Sequence, residues 1–374
     1  MARVLVLGGG FGGIATAVTL AQLAGERHEV ILVDAGSDFV MGLRKNWHVV
    51  GVSTLEEGTR RLHRLTEHGV KFRQGTIEEL DPVSRVARVD GEPISADYMV
   101  VALGARPVAE AVPGLAEHGI NVWSRDHSER ARRALAALEG GVVTVGIFGT
   151  PYSCPPGPYE LALLLHDHIT AAVEVFTPTP ITLPVVGQVG SNKLLRRLVE
   201  NEIKVSTGKK AVRVDPGVVR FEDGTEQPFN ILLAVPPHRV PAVLAEGGLA
   251  EAGSWVKVFP KTLETDFPGV FAIGDCVNIP LANGAALPKA GAFAQAQGEV
   301  VASRIAALLD GRDPEATFAG EGVCYIEFGS GEAARITGHF LADPPAVSLS
   351  DPSTEQMVDK VRFESDRLTA WFGG

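Results

Sequence analysis

Ala2-Arg3-Val4-Leu5-Val6-Leu7-Gly8-Gly9-Gly10-Phe11-Gly12-Gly13 opens the chain, and its reading decides the fold. The first six residues fit a buried strand, and an apolar run at helical spacing follows from Ile14 to Leu23. A strand, a glycine-rich turn and a helix in that order form the start of a dinucleotide-binding unit. Gly8 permits the tight turn, Gly10 lets a pyrophosphate approach the backbone, and Gly13 lets helix and strand pack closely. Phe11 and Gly12 complete the turn, so the helix N-terminus faces the phosphates. The next strand, Glu29 to Val33, ends in Asp34, placed to accept a hydrogen bond from a ribose 2′-hydroxyl. A glycine turn alone also serves as a plain strand-to-helix corner, but this one has matching context on both sides.

The bulk numbers bound the rest. A chain of 374 residues, 45% hydrophobic, is long enough for two cores and an appendage. Its net charge of -11 opposes nucleic acid or an anionic membrane as an electrostatic partner. No apolar run reaches the roughly 18 residues of a spanning helix. The chain begins on its first core strand without room for a signal peptide, so a cytoplasmic location is expected. Cys154, Cys276 and Cys324 are too few for a disulfide framework and match no zinc spacing, and no histidine pair suggests a metal site. Reactive thiols or buried small hydrophobes remain.

Residues 55 to 68 read as a polar helix and 70 to 72 as a short strand. From Thr76 to Asp97 the text is hairpin-like, with Asp90-Gly91 as a turn signal. Tyr98 to Leu103 is an apolar parallel-type strand that leaves through Gly104, and far downstream Val270 to Ile273 is a short strand ending in Gly274-Asp275. These three segments together resemble the two-dinucleotide-domain flavoproteins. The resemblance implies that FAD is the cofactor, that its pyrophosphate lies on the first turn, that Ala102 and Gly104 pass near it, and that Asp275 bonds its ribityl chain. It also implies that the long helix after Leu287-Pro288-Lys289-Ala290-Gly291 points its N-terminus at the flavin pyrimidine edge. Lys289 adds positive charge there, or is a solvated first-turn lysine.

Residues 106 to 239 contain a second series of strands, at 142 to 148, 173 to 176, 203 to 206, 210 to 214, 217 to 221 and 231 to 235. In NADH-using relatives such a unit carries its own glycine fingerprint. Here Gly149-Thr150-Pro151-Tyr152-Ser153-Cys154-Pro155-Pro156-Gly157-Pro158-Tyr159-Glu160 stands instead, and proline supplies no N–H to cradle a phosphate. NADH binding is not expected. A helix opening at about Tyr159 places the Cys154 thiol near a helix N-terminus, where a thiolate is stabilised; an inert cysteine in a rigid turn is the alternative.

Cys324 follows the long helix, on a short strand at 322 to 328 paired with 333 to 340. With it the chain resembles the sulfide:quinone oxidoreductases and the flavoprotein subunit of flavocytochrome c sulfide dehydrogenase, within the pyridine nucleotide-disulfide oxidoreductase-like flavoproteins. That resemblance implies that Cys154 and Cys324 form the redox pair, that sulfide or another small sulfur donor attacks their bridge, and that a quinone or other acceptor takes the electrons. Glu160 is a candidate proton carrier, or a carboxylate favoured by the helix start. Cys276 is read as a small buried residue. Arg106 to Ser153 holds no additional cysteine, so long polysulfur chains are not expected, and residues 35 to 55 hold none, so FAD is expected to be non-covalent.

The fold expected is therefore α/β: two Rossmann-like dinucleotide-binding domains, the FAD domain at 1–105 and 240–320 and the second at 106–239, with a small C-terminal α+β unit at 321–374. The tail helix, Ser353 to Phe372, puts Met357, Val361, Leu368 and Phe372 on one broad face with Trp371 beside them. It reads as a contact with a membrane surface or in a homodimer, or as a helix docked on the body. The acceptor, the sulfur product and the oligomeric state are left open.

Overall fold

A computed structural model describes residues 1–373. Its architecture is α/β and rests on two five-stranded parallel sheets. The first runs Val270–Ala272, Tyr98–Val101, Arg3–Leu7, Glu29–Asp34, Lys71–Gln74. Arg3–Leu7 lies at its centre, and Val4 to Leu7 are completely buried, as a continuous apolar strand covered on both faces must be. The second sheet runs Ile120–Asn121, Ile231–Val235, Val142–Ile147, Ala172–Phe176, Lys204–Ser206. Three-stranded antiparallel meanders, Ile77–Ser95 and Ala211–Pro228, hang from the two layers, and an antiparallel sheet of Glu321–Gly329, Glu332–His339 and Ala346–Leu349 follows near the C-terminal end. One apolar core runs through both parallel sheets and into the C-terminal sheet, and a smaller cluster around Phe148, Phe176 and Phe221 lies beneath the second meander.

Five helices matter for the site. They are α1 (Phe11–Ala24), α2 (Arg44–Val49), α3 (Gly157–His168), α4 (Gly291–Leu309) and α5 (Thr354–Phe372). The first parallel strand turns into α1 through Gly8, at φ +111°, a conformation that disfavours any side chain. A Cβ on Gly13 would stand 1.8 Å from the Gly8 carbonyl oxygen, so strand and helix meet backbone to backbone. Gly298 likewise brings α4 close against α1, its Cβ position 2.5 Å from the Gly12 carbonyl oxygen. That contact aligns the N-termini of α1 and α4 on one cleft.

Two expectations are corrected. Residues 55 to 68 form 3-10 turns and the short strand Thr59–Arg61, which pairs with Asp38–Val40. Gly58 and the β-branched Thr59 are poor helix formers, and long-range pairing takes their backbone, with Met41 N–H donating to Gly58 at 2.9 Å. Helix α3 opens at Gly157, close to the expected start, because a first-turn proline is tolerated where the N–H would have no partner. Second, the inward stripe of α5 is Lys360, Glu364, Leu368, Trp371 and Phe372, while Val361 stays exposed. Apolar periodicity misplaced this face because two of its buried positions are charged.

Candidate active site

The sequence motifs converge on a cleft of about 340 Å³. Gly10, Phe11 and Gly12 reach it from α1, Ala102 and Gly104 from the strand beside it, Gly274 and Asp275 from the downstream return, and Lys289 from the segment before α4. Cys154 and Glu160 line it from the second unit, and Cys324 from the C-terminal sheet. Residues 170 positions apart in sequence thus share one wall.

The other fingerprint residues work behind that wall. Gly8 and Gly13 shape the turn. Asp34 accepts from Gly9 N–H at 2.6 Å and from Gly36 N–H at 2.7 Å, so its carboxylate fastens the turn from below.

Helices α1 and α4 present N-termini to this cleft without a side-chain cap, leaving backbone N–H groups and dipole ends free for negative charge, whereas at the start of α3 the Gly157 N–H is taken by the Cys154 carbonyl and Pro158 has none. A Cβ on Gly10 would meet nothing within 4 Å, so a diphosphate has room to lie against this backbone. The residues present fit a dinucleotide.

Cys154 takes φ +55°, its N–H donates to the Lys289 carbonyl at 2.7 Å, and its own carbonyl accepts from Gly157 N–H at 2.9 Å. Ser153 Oγ donates to Asp275, tying the cysteine loop to the Gly-Asp turn. Although Cys154 keeps surface toward the cleft, the enclosing protein governs its acidity. Burial first, then Glu160, pushes its thiol up to about 11, against the thiolate expected at a helix N-terminus. Burial, then Cys154, pushes Cys324 up to about 12. Cys276 is fully buried, its Sγ donating to the Ile273 carbonyl at 3.2 Å, as a small core residue.

Burial raises the Asp275 carboxyl and lowers the Lys289 ammonium, each as the leading cause. Lys289 is not solvated. Its Nζ donates to the Val277 carbonyl at 2.6 Å and lies 3.9 Å above the Trp255 ring. The ammonium is thereby fixed beside the Gly-Asp turn, just ahead of the helix rather than in its first turn. His238 is buried, its Nδ1 2.9 Å from the Pro236 carbonyl, and burial lowers it to about 4.

Glu160 is part of a buried ionic cluster that the sequence did not announce. Lys360 Nζ donates to Glu160 Oε2 at 2.7 Å and to Glu327 Oε1 at 2.6 Å. Glu160 also accepts from Asn46 Nδ2 at 3.0 Å and Glu327 N–H at 3.0 Å, and Trp47 Nε1 donates to Glu327. Burial raises the Glu327 carboxyl, with Lys360 opposing it. One ammonium thus joins the helix after Cys154 to the strand that carries Cys324.

Short helix α2 was likewise missed. Arg44 pairs with Glu364 at 2.7 Å, Lys45 Nζ donates to the Trp123 carbonyl at 3.0 Å, and Asn46 and Trp47 bind the carboxylates just described. In sequence, Arg-Lys-Asn-Trp looks like an ordinary polar surface turn.

Comparison with known proteins gives this arrangement a family. Residues 2–298 match the model for "Pyridine nucleotide-disulphide oxidoreductase". The chain belongs to that family. It is an oxidoreductase and a flavoprotein whose cofactor is FAD, as the sequence resemblance implied. The oxidoreductase is 25% identical to the mouse "Sulfide:quinone oxidoreductase, mitochondrial", over 95% of this chain and 82% of the mouse protein. It is also 25% identical to the Aquifex aeolicus "Sulfide-quinone reductase", over 96% and 86% of the two chains. The solved structure of the A. aeolicus sulfide:quinone oxidoreductase superposes with a TM-score of 0.89 at 23% identity, covering 100% of this chain and 92% of that one. A Mycobacterium tuberculosis "NADH dehydrogenase-like protein" is 28% identical over 60% of each chain. Likeness to sulfide:quinone oxidoreductases therefore extends along nearly the whole oxidoreductase. Among the described residues, no helix is long and apolar enough to cross a membrane, and no His, Cys, Asp and Glu cluster could hold a metal ion.

Proposed function

We propose that this oxidoreductase oxidises sulfide at Cys154 and Cys324 and passes the electrons through non-covalent FAD to a quinone. The observation that carries the reading is the meeting of both cysteines with the glycine fingerprint and Asp275 in one cleft. Relatives bearing the sulfide:quinone name, matched over most of both chains, support it.

The glycine turn and the free N–H groups of α1 hold the diphosphate, Asp275 the ribityl chain, and the α4 N-terminus with Lys289 the pyrimidine edge. Bound there, FAD supplies a two-electron acceptor next to sulfur. Hydrosulfide attacks the Cys154–Cys324 bridge, breaking the S–S bond as a new one forms. A persulfide stays on Cys154 and the Cys324 sulfur leaves as thiolate. A second hydrosulfide takes the outer sulfur of the Cys154 persulfide and leaves as hydrodisulfide, freeing Cys154 to close on Cys324 and restore the bridge. The two electrons that closure releases pass to FAD bound in the cleft. Glu160 lines the cleft beside Cys154 and is the carboxylate that takes the proton hydrosulfide loses.

Val323, Tyr325 and Phe363 give the cleft an apolar side suited to a quinone ring, with Tyr325 and Phe363 edge to face at 6.0 Å. The exposed Val358 and Val361 on α5 suit a peripheral contact with the membrane that would hold such a quinone. The four prolines around Cys154 argue against NADH as donor.

Anaerobic mixing tests the reading. Sulfide should bleach the flavin band and a short-chain quinone restore it, while Cys154→Ser and Cys324→Ser remove the sulfide response. Bleaching by NADH, with none by sulfide, would replace this reading with a flavin NADH dehydrogenase.

A further inference from the structure

We propose that Lys45 is the positioning cation of Cys154, holding negative charge at that sulfur and so setting where in pH it becomes a reactive thiolate. This rests on Cys154 being the attacked or attacking sulfur of the reading above.

The cations around the cleft differ in how free they are to act. Lys360 is fully buried and consumed by two carboxylates. Lys289 is turned onto the Val277 carbonyl and the Trp255 ring. Lys45 lines the cleft itself, and among the described residues its ammonium has one acceptor, the Trp123 carbonyl, and no carboxylate partner. An ammonium carries three donors, so two remain for an anion in the cleft.

Its attachment places it. The same Trp123 donates through Nε1 to the Ser153 carbonyl at 2.7 Å, next to Cys154. The tryptophan ring also walls the cysteine: a Cβ on Gly157 would meet Trp123 Cζ2 at 2.9 Å and Cys154 Sγ at 3.3 Å. Lys45, Trp123, Ser153 and Cys154 therefore form one chain of contacts, with the cation at one end and the sulfur at the other. Glycine at 157 is what leaves room for it.

The groups facing Cys154 come from every element packed around it. Glu160 on α3, together with desolvation, opposes the thiolate; Lys360 on α5 and Lys45 on α2 favour it, as does the Gly157 N–H. Cys324 on its strand feels the Cys154 charge, and Asp275, itself bonded by Ser153, lies within reach of both Lys45 and Lys289. Lys360 is neutralised by its carboxylates. Burial lowers the Lys45 ammonium while Cys154 and then Asp275 hold it charged, so Lys45 is left as the favourable cation without a carboxylate in direct contact.

The test uses the FAD-loaded enzyme, reduced anaerobically with dithiothreitol. Iodoacetamide alkylation of the Cys154 peptide is followed by mass spectrometry across pH, giving the midpoint at which the sulfur becomes reactive. Lys45→Met should raise that midpoint by about half a pH unit or more, and Lys45→Arg should restore it. The sulfide concentration giving half-maximal flavin reduction should rise in Lys45→Met as well. Should Lys45→Met lose its FAD, Lys45→Gln repeats the comparison. An unchanged midpoint in the neutral variant, with sulfide still reducing the wild-type flavin, overturns the Lys45 assignment alone. A raised midpoint in an enzyme that sulfide never reduces upholds Lys45 and sinks the sulfide reading.

Discussion

Replacing Lys360 by Met is the sharpest test of how the two cysteine-bearing elements are held together. The ammonium is completely buried and lies 2.7 Å from Glu160 and 2.6 Å from Glu327. Met fills much of its volume but leaves two buried carboxylates facing each other without a counter-charge. Removing one partner from a buried ion pair costs about 3–5 kcal/mol, mostly the penalty of the charge left behind. The penalty depends on pH in a definite direction. In the native protein burial already raises the Glu327 carboxyl, and losing Lys360 raises it further. A carboxyl whose folded value lies above its unfolded one contributes stability that is fully present below the unfolded value. That contribution is lost as pH rises through the folded value. Lys360→Met should therefore be weakest at alkaline pH and approach the native protein as the solution is acidified toward the ordinary carboxylate range. Adding Glu327→Gln removes one of the two stranded charges, keeps an oxygen for Trp47 Nε1, and should recover about 1–2 kcal/mol. Urea denaturation, followed by the fluorescence of released FAD, measures all three proteins across pH. A loss below about 1 kcal/mol, a pH-independent loss, or a double variant no more stable than the single one would refute the buried-cluster argument.

Other perturbations probe separate joints. Trp371 is buried edge to face against Phe11 of the fingerprint at 5.6 Å and Phe39 at 5.7 Å. Trp371→Ala should cost about 3–5 kcal/mol in urea denaturation and also weaken FAD retention, read as the 450 nm absorbance surviving gel filtration. Gly13→Ala forces a Cβ against the Gly8 carbonyl, 1.8 Å away, and should yield protein without bound flavin, which the visible spectrum shows directly. His238, lowered to about 4 by burial, favours the folded state above the ordinary histidine value and loses that contribution as pH falls toward 4. His238→Asn should flatten the decline in melting temperature between those limits.

What the sequence disclosed follows how far apart the decisive residues stand. Gly8 to Gly13 act on one another within a single turn, so the spacing alone carried the phosphate cradle. Cys154 and Cys324 were connected only through family resemblance, since nothing local says that a loop and a strand so far apart share a cleft. The Glu160, Glu327 and Lys360 cluster stayed invisible because its members come from three elements, with Lys360 200 positions from Glu160. On α5 the same lysine broke the apolar pattern and turned the expected face by a few positions. The polar text of 44 to 48 gave no sign that consecutive side chains reach different parts of the molecule, because each partner is supplied by tertiary folding.

The central claim is that two thiols are held together in one cleft at the flavin site. Air-oxidised enzyme, alkylated without reduction and digested, tests it most directly by peptide mass. The account predicts a Cys154 peptide linked to a Cys324 peptide through two or more sulfur atoms and released by dithiothreitol. Recovery of both peptides separately alkylated from fully oxidised enzyme would contradict it.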